Sequence, residues 1–290
     1  MEFAPISGAC GAEVFGIDLE QDLNAERVEA LTVGLGEYGV LVFRGQALSP
    51  EGHLAMGKAF GGVNVNRFLR AVEGYPGIAE VRKEPEQKTN IGGQWHTDHT
   101  YDTEPALGSI LVARELPPFG GDTQFSSMYA AWDALSDGLK AMLCGMKAVH
   151  SSRHVFGPRA DHVKGASDLA GRLGNSEAAV QDAVHPVVIH HPVSGRPSLY
   201  VNRGFTVRFD DWTVEESRSL LEMLYKYGSR PEFTCRVRFE PGTVVFWDNR
   251  ATWHCALNDY AGYRRLMHRV TVEGTSLRAW QPGPKERAAA

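Results

Sequence analysis

The sequence predicts a chain built mainly of β-strands with helices, folded as an antiparallel barrel or jelly roll with helical insertions. Strand-like runs rich in β-branched and aromatic residues recur between Gly and Pro turns along most of its length. The helical segments fall between these runs without the regular strand–helix–strand rhythm that a parallel sheet requires. A chain of 290 residues, 43% hydrophobic and 22% charged, has ample material for a core. No composition shift or linker divides it, so one domain over residues 1–290 is expected.

In chain order, "NAERVEALTVGLGEYG" places apolar residues at helical spacing, and the strand "VLVFRG" follows it. In "SPEGHLAMGKAFG", Ser49 is the expected N-cap and Pro50 takes the first helical position, where its missing N–H costs nothing. "GSILVAREL" reads as a strand. Residues 157–183 are polar and Gly-rich, and a stretch of that length between strand-like segments is expected to be a mobile lid. "HPVVIHHP" and "PSLYVNR" read as strands, and "TVEESRSLLEMLYKYG" opens a helix with Thr213 and Glu216 at capping-box spacing. "FTCRVRFEPGTVVFWDN" reads as two strands joined by a hairpin turn at "EPGT". "RRLMHRVTVEG" reads as a strand, and 281–290 is expected to be a frayed tail.

The bulk properties narrow the function classes. A net charge of −5 without basic runs argues against nucleic acid, whose phosphates need clustered Lys and Arg. No uncharged run approaches the roughly 20 residues that span a bilayer, and no signal peptide is visible. The four cysteines are scattered with no C-x-x-C pair, a pattern suited to reduced thiols in the cytoplasm.

Chemistry concentrates in "GGQWHTDHTYDTEP", which holds His96, Asp98, His99, Asp102 and Glu104. In an extended strand His96 and Asp98, two residues apart, share a face and could converge on one ion. Nitrogen plus carboxylate without thiolate suits a non-haem Fe(II) site of two histidines and one acid, open on one side. The second histidine must come from elsewhere. His254, in "FWDNRATWHCALNDYAGYRRLMHRVTV", is the candidate. Arg265 and Arg269, on one face of the following strand by period-two spacing, could present guanidinium forks to an organic acid. An H-x-D pair alone is a weak signal in a chain with 11 histidines and 35 acidic residues, and a lone histidine is more often part of a core. The weight lies in the joint pattern.

"WHTDHTY", "PPFGGDTQFSSMYAAWDALS", "HPVVIHHPVSGRPSLYVNRGFTVRF" and "PGTVVFWDNRATWHCALNDYAGYRRLMHRVTV" together resemble the taurine dioxygenase-like (TauD/TfdA) family of Fe(II)- and 2-oxoglutarate-dependent dioxygenases. The resemblance runs from about "GAEVFGIDL" to "HRVTVEG", with the motifs in the family's order. It implies a double-stranded β-helix (jelly-roll) core with helices packed outside. It also implies iron ligands His96, Asp98 and His254, with Thr123 and Arg265 on the 2-oxoglutarate carboxylate. Arg269 matches an arginine that contacts the anionic end of the primary substrate. Phe156 and Phe205 match aromatic walls, and Trp247 a tryptophan near the iron, although all three suit simple core packing as well. Thr123 would serve equally as a turn residue after Gly120 and Gly121.

The chain departs from taurine-using members at Asn66, where those carry a histidine, near Leu69 in place of a tyrosine, and at Gly92 in place of an asparagine. Taurine is therefore not the expected substrate. An alkylsulfonate, sulfate ester, aryloxyalkanoate or similar small acid is, in a roomier pocket lined in part by Asn66. The implied cofactors are Fe(II), 2-oxoglutarate and O2, with succinate and CO2 as products. Asp98 favours oxygenation over halogenation, and hydroxylation, desaturation and epoxidation all stay open. Two other readings fit the bare residues: a zinc hydrolase using the same three ligands, and a non-catalytic jelly-roll binding protein. A homo-oligomer, dimer or tetramer, is the expected assembly.

Overall fold

Alternation along the central strands sets the layers. In Val244–Asp248, Val244 and Phe246 point to one face and Val245 and Trp247 to the other. Val40–Phe43 and Gly108–Glu115 divide the same way, Leu41, Phe43, Ile110 and Val112 against Val40, Val42, Leu111 and Ala113. A sheet whose strands are apolar on both faces must be covered on both.

The computed structural model describes residues 1–160, 163, 168–169 and 171–281. Part of the 157–183 insertion, and all of the 281–290 tail except Gln281, lies outside the described residues. A nine-stranded sheet runs in the order Glu2–Pro5, Ala12–Phe15, Val40–Phe43, Val244–Asp248, Gly108–Glu115, Arg265–Val272, Tyr75–Lys83, Ala71–Val72, with Val63–Asn64 also paired to Arg265–Val272. Its outer face is covered by the helices Ala25–Tyr38 and Pro50–Ala59 through Leu31, Leu35 and Met56. Its inner face meets Phe125, Cys235 and Val237 of a three-stranded sheet ordered Thr234–Val237, Thr123–Ser127, Thr252–Ala256. Two facing sheets of this kind form the expected jelly-roll core. Each large apolar side chain sealed between them stabilises the fold by about 1.5–3 kcal/mol.

The helix signals work as the sequence implies. Asn24 Oδ1 accepts from Arg27 N at 2.9 Å, and Gly39 ends that helix at φ 71°, a left-handed cap only glycine adopts freely. Ser49 Oγ accepts from Gly52 N, and Thr213 and Glu216 close a full capping box on Val214–Gly228. That last helix lays Leu221, Leu224 and Tyr225 into a second core with Trp132 and Trp253. Among the described residues no helix is long and apolar enough to cross a membrane.

One expectation fails. "EPGT" is no hairpin: Thr234–Val237 pairs with Thr123–Ser127, whereas Val244–Asp248 pairs with Val40–Phe43 and Gly108–Glu115. Turn residues show that the chain reverses, not which strand it rejoins. Here it crosses between the two layers, as a jelly roll requires. Strands at Tyr75–Lys83, Thr123–Ser127, Lys147–Ser151 and Thr252–Ala256 were not legible, being short or mixed in polarity.

Candidate metal centre and its cavity

Three side chains meet at the inner face of the two sheets. His254 lies in Thr252–Ala256, and its backbone exchanges two hydrogen bonds with His96 (His96 N to His254 O, 3.1 Å; His254 N to His96 O, 2.8 Å). That isolated bridge sets the two imidazoles side by side with ring centroids 4.1 Å apart. Asp98 reaches the pair by a different route from the one expected. His96 and Asp98 do not share an extended strand; the chain leaves the bridge at His96 and enters a turn in which Asp102 N donates to His99 O and His99 takes φ 58°. Convergence comes from the bridge and the turn rather than from strand period.

The spacing suits an ion. Asp98 Oδ1 is 3.6 Å from His96 Nε2, and Oδ2 is 3.7 Å from His254 Nε2. These gaps are too long for hydrogen bonds. The three donor atoms nonetheless lie within 4.8 Å of one another, close to the limit of about 4.2 Å for two ligands that share one metal at about 2.1 Å. His96 Nδ1 donates to the Gln94 carbonyl at 2.7 Å, which turns the Nε2 lone pair toward the gap. Asp98 Oδ2 accepts from Ser109 Oγ at 3.2 Å and from Arg269 Nη1 at 3.0 Å, so Oδ1 is the freer oxygen.

Electrostatics prepare the donors. Burial works to raise the Asp98 pKa, but the Arg269 guanidinium, His254 and His96 outweigh it and hold the carboxyl well below the usual range. Burial, reinforced by His96, keeps His254 neutral by pushing it well below its ordinary value. A neutral imidazole and an ionised acid are the forms a metal takes.

Arg265, Met267 and Arg269 occupy the inward positions of Arg265–Val272, while Val270 and Val272 face the helices. Arg265 is buried over the Phe239 ring, and neither Nε nor Nη2 has a hydrogen-bond partner among the described residues. Burial lowers its pKa. Gly121, at φ 70° and two residues before Thr123, lets the loop press against Arg265; an added Cβ there would sit 3.1 Å from its Cδ and Nε. An unpartnered buried guanidinium is a costly feature that an incoming carboxylate would satisfy.

All of this opens on one cavity of about 630 Å³. His96, Asp98, His254, Thr123, Arg265, Arg269, Asn66, Phe156, Phe205 and Trp247 all line it. Trp247 packs on His254 at 4.7 Å between centroids, and its Nε1 donates to Asn249 Oδ1. Phe205 and Phe156 form an aromatic wall with Tyr101 and Phe68, the last stacked on Phe156 at 4.2 Å.

Several contributors had no signal of their own in the sequence. Ser109 steadies Asp98, and Tyr101 and buried His99 complete the wall. Gly204, in "NRGF", lets its loop rest on the first ligand: an added Cβ would lie 2.7 Å from His96 Cβ. Asp102 bonds His99 Nδ1 and takes Arg67, whereas Glu104 is exposed.

Comparison with known proteins agrees with this architecture. Residues 2–271 match the family described as "Taurine catabolism dioxygenase TauD, TfdA family". An alpha-ketoglutarate-dependent sulfate ester dioxygenase of Pseudomonas putida is 32% identical over 275 residues, 94% of this chain and 90% of that protein. The crystal structure of a taurine dioxygenase from Burkholderia xenovorans superposes with a TM-score of 0.79 at 33% identity, covering 99% of this chain and 94% of that one. AAD-2, solved in complex with Mn(II) and N-oxalylglycine, gives a TM-score of 0.78 at 26% identity over 96% of this chain and all of that chain. The chain belongs to the TauD/TfdA family and is a dioxygenase of that 2-oxoglutarate-dependent kind.

Proposed function

We propose that this chain oxidises a small anionic organic substrate, with Fe(II) held by His96, Asp98 and His254 and with 2-oxoglutarate and O2 as co-substrates. The observation that carries the reading is Arg265, a buried guanidinium with two unpartnered nitrogens on the same cavity as the three metal donors. A zinc hydrolase has no use for it, and a plain binding module has none for three metal donors beside it. The AAD-2 complex supports the reading, since N-oxalylglycine is an isostere of 2-oxoglutarate.

When bound, the ferrous ion and the keto acid would together activate O2, one oxygen atom ending in succinate as CO2 leaves and the other oxidising the substrate. The chain's own residues do the rest. Arg265 and Thr123 hold the distal carboxylate of 2-oxoglutarate and so fix its depth in the cavity. Ser109 and Arg269 orient Asp98, and Gln94 orients His96. Arg269 keeps a free Nε for the substrate's anion, while Trp247, Phe156 and Phe205 keep water from the reacting carbon. Among candidate acids, sulfate esters, alkylsulfonates and aryloxyalkanoates suit the aromatic wall. The lack of the taurine-users' histidine, tyrosine and asparagine at Asn66, Leu69 and Gly92 speaks against taurine.

The described residues of the 157–183 insertion belong to a lid in this reading, supported by Ala160, Leu169 and Leu173 on the cavity and by Leu173 bridged to Leu69. The reading also takes the protein to be a cytoplasmic homo-oligomer, dimer or tetramer; light scattering reads the assembly directly.

Succinate release with Fe(II), O2 and 2-oxoglutarate tests the whole. Arg265→Gln should raise the KM for 2-oxoglutarate by about 10- to 100-fold, the worth of a charged hydrogen-bond pair. Turnover that is independent of 2-oxoglutarate, or unchanged in that variant, would overturn the assignment.

A further inference from the structure

Within the aromatic wall sit two polar side chains that the reaction above does not use together. His99 is 2% exposed, lines the cavity, and is one of three non-glycine residues with positive φ (58°) among the described residues. Holding a histidine in that conformation costs on the order of 1 kcal/mol, a strain that persists only where the surroundings impose it. They do. Asp102 Oδ2 accepts from His99 Nδ1 at 3.0 Å, and Arg67 Nη2 donates to Asp102 Oδ1 at 2.6 Å. With Nδ1–H committed to the carboxylate, the Nε2 lone pair faces Asn66.

The Asn66 amide is equally fixed. Its Oδ1 accepts from Phe68 N at 2.9 Å and from Leu69 N at 2.8 Å, so Nδ2 must be the end that meets His99. That contact is 3.4 Å, longer than the 2.7–3.2 Å of a well-made bond. One donor and one acceptor, both rigidly aimed and loosely matched, thus stand side by side in an otherwise apolar wall.

We propose that His99 and Asn66 form a recognition point for a hydroxyl group carried by the primary substrate, apart from its anionic end. A hydroxyl donates to His99 Nε2 and accepts from Asn66 Nδ2, completing both bonds. A sulfonate or carboxylate oxygen has no proton for Nε2, and the Asp102 charge behind the ring repels it. An alkyl group leaves both atoms with only their stretched mutual contact. The substrate class is therefore a hydroxylated organic anion, with its charge toward Arg269 and its hydroxyl toward His99. This inference rests on the anionic-substrate reading above.

The test is equilibrium binding, by calorimetry, to protein loaded with Mn(II) and N-oxalylglycine. The probes are alkane-1-sulfonates from propane to octane and their ω-hydroxy counterparts. At the matching chain length the hydroxylated probe should bind about 10- to 100-fold more tightly than its plain partner, one to two hydrogen bonds' worth. His99→Asn keeps a residue that tolerates positive φ but falls short of the cavity. It should erase that preference while leaving affinity for the plain sulfonate within about twofold, which also shows that the variant is folded. Equal binding of the two series by the wild type, or a preference that survives in H99N, would overturn the hydroxyl site and leave the anionic reading standing. Binding of neither series overturns both.

Discussion

Two buried carboxylates in this molecule each sit among histidine and arginine, yet they do opposite work. Asp248 accepts from Arg250 N, Nε and Nη2 at 2.8, 2.9 and 2.6 Å, and from His191 Nε2 at 3.0 Å. His191 Nδ1 in turn accepts from Ser194 N, and no atom of Asp248, Arg250 or His191 is buried without a partner. None of the three touches the cavity. Asp98 has the same kinds of neighbours, but its histidines stand off at 3.6 and 3.7 Å, and unpartnered nitrogens remain on His254, Arg265 and Arg269. Residue type does not separate a structural ion pair from a reactive centre. Incomplete satisfaction beside open space does.

Exchanging each acid for its amide gives the largest contrast. Asp98→Asn should take succinate formation to background while costing about 1 kcal/mol of stability, because Arg269 is left facing the cavity, where water can reach it. Asp248→Asn should leave the metal donors in place but strand the buried Arg250 charge, at a cost of about 3–5 kcal/mol in urea unfolding. Equal stability losses in the two variants would break the comparison.

A smaller effect tests how finely the open centre is held. Gly204→Ala would press a methyl group on His96 Cβ from a loop that is itself pinned, with Phe205 N on Asn202 Oδ1 and Ser151 N on Phe205 O. Neither side can yield cheaply: Cβ moves only with the backbone, and the His96 backbone is held by its two hydrogen bonds to His254, so the first ligand is displaced together with its bridge. Metal affinity should fall about 10- to 100-fold, as when a supporting contact of a ligand is lost. The metal-free variant should also lose about 1–3 kcal/mol in urea unfolding, the usual cost of overpacking. Unchanged affinity in a Co(II) titration would show that His96 is positioned by its bridge to His254 alone.

The two centres were unequally legible in the sequence. His96, Asp98 and His254 stand in motifs, and the shared face of Arg265 and Arg269 follows from strand period; the structure keeps that parity, with Met267 between them. The antiparallel β class and three helix starts were legible because caps and alternation are local. The two-layer crossover at "EPGT" was not, because partner choice is a property of the whole sheet. Nor could spacing reveal that Gly204 rests on His96, that Ser109 steadies Asp98, or that His191 closes on Asp248. Each joins residues far apart in the chain through tertiary placement alone.

The mildest probe of the comparison is acid. Burial works to raise the Asp248 pKa, but Arg250 and then His191 outweigh it, and the folded value lies far below that of the unfolded chain. A carboxylate depressed on folding contributes stability that is fully present above its unfolded pKa, near 3.9, and is lost as pH falls from there toward the folded value. Between pH 8 and pH 5 the gap in unfolding free energy between wild type and Asp248→Asn should therefore be flat. From pH 5 to pH 3 the unfolded wild-type chain takes up a proton that the folded chain refuses, and the gap should narrow by about 1 kcal/mol. A gap that already changes between pH 8 and pH 5 would show that a group other than the Asp248 carboxyl sets the difference, and would break the assignment of the closed centre's stability to the Asp248–Arg250 pair.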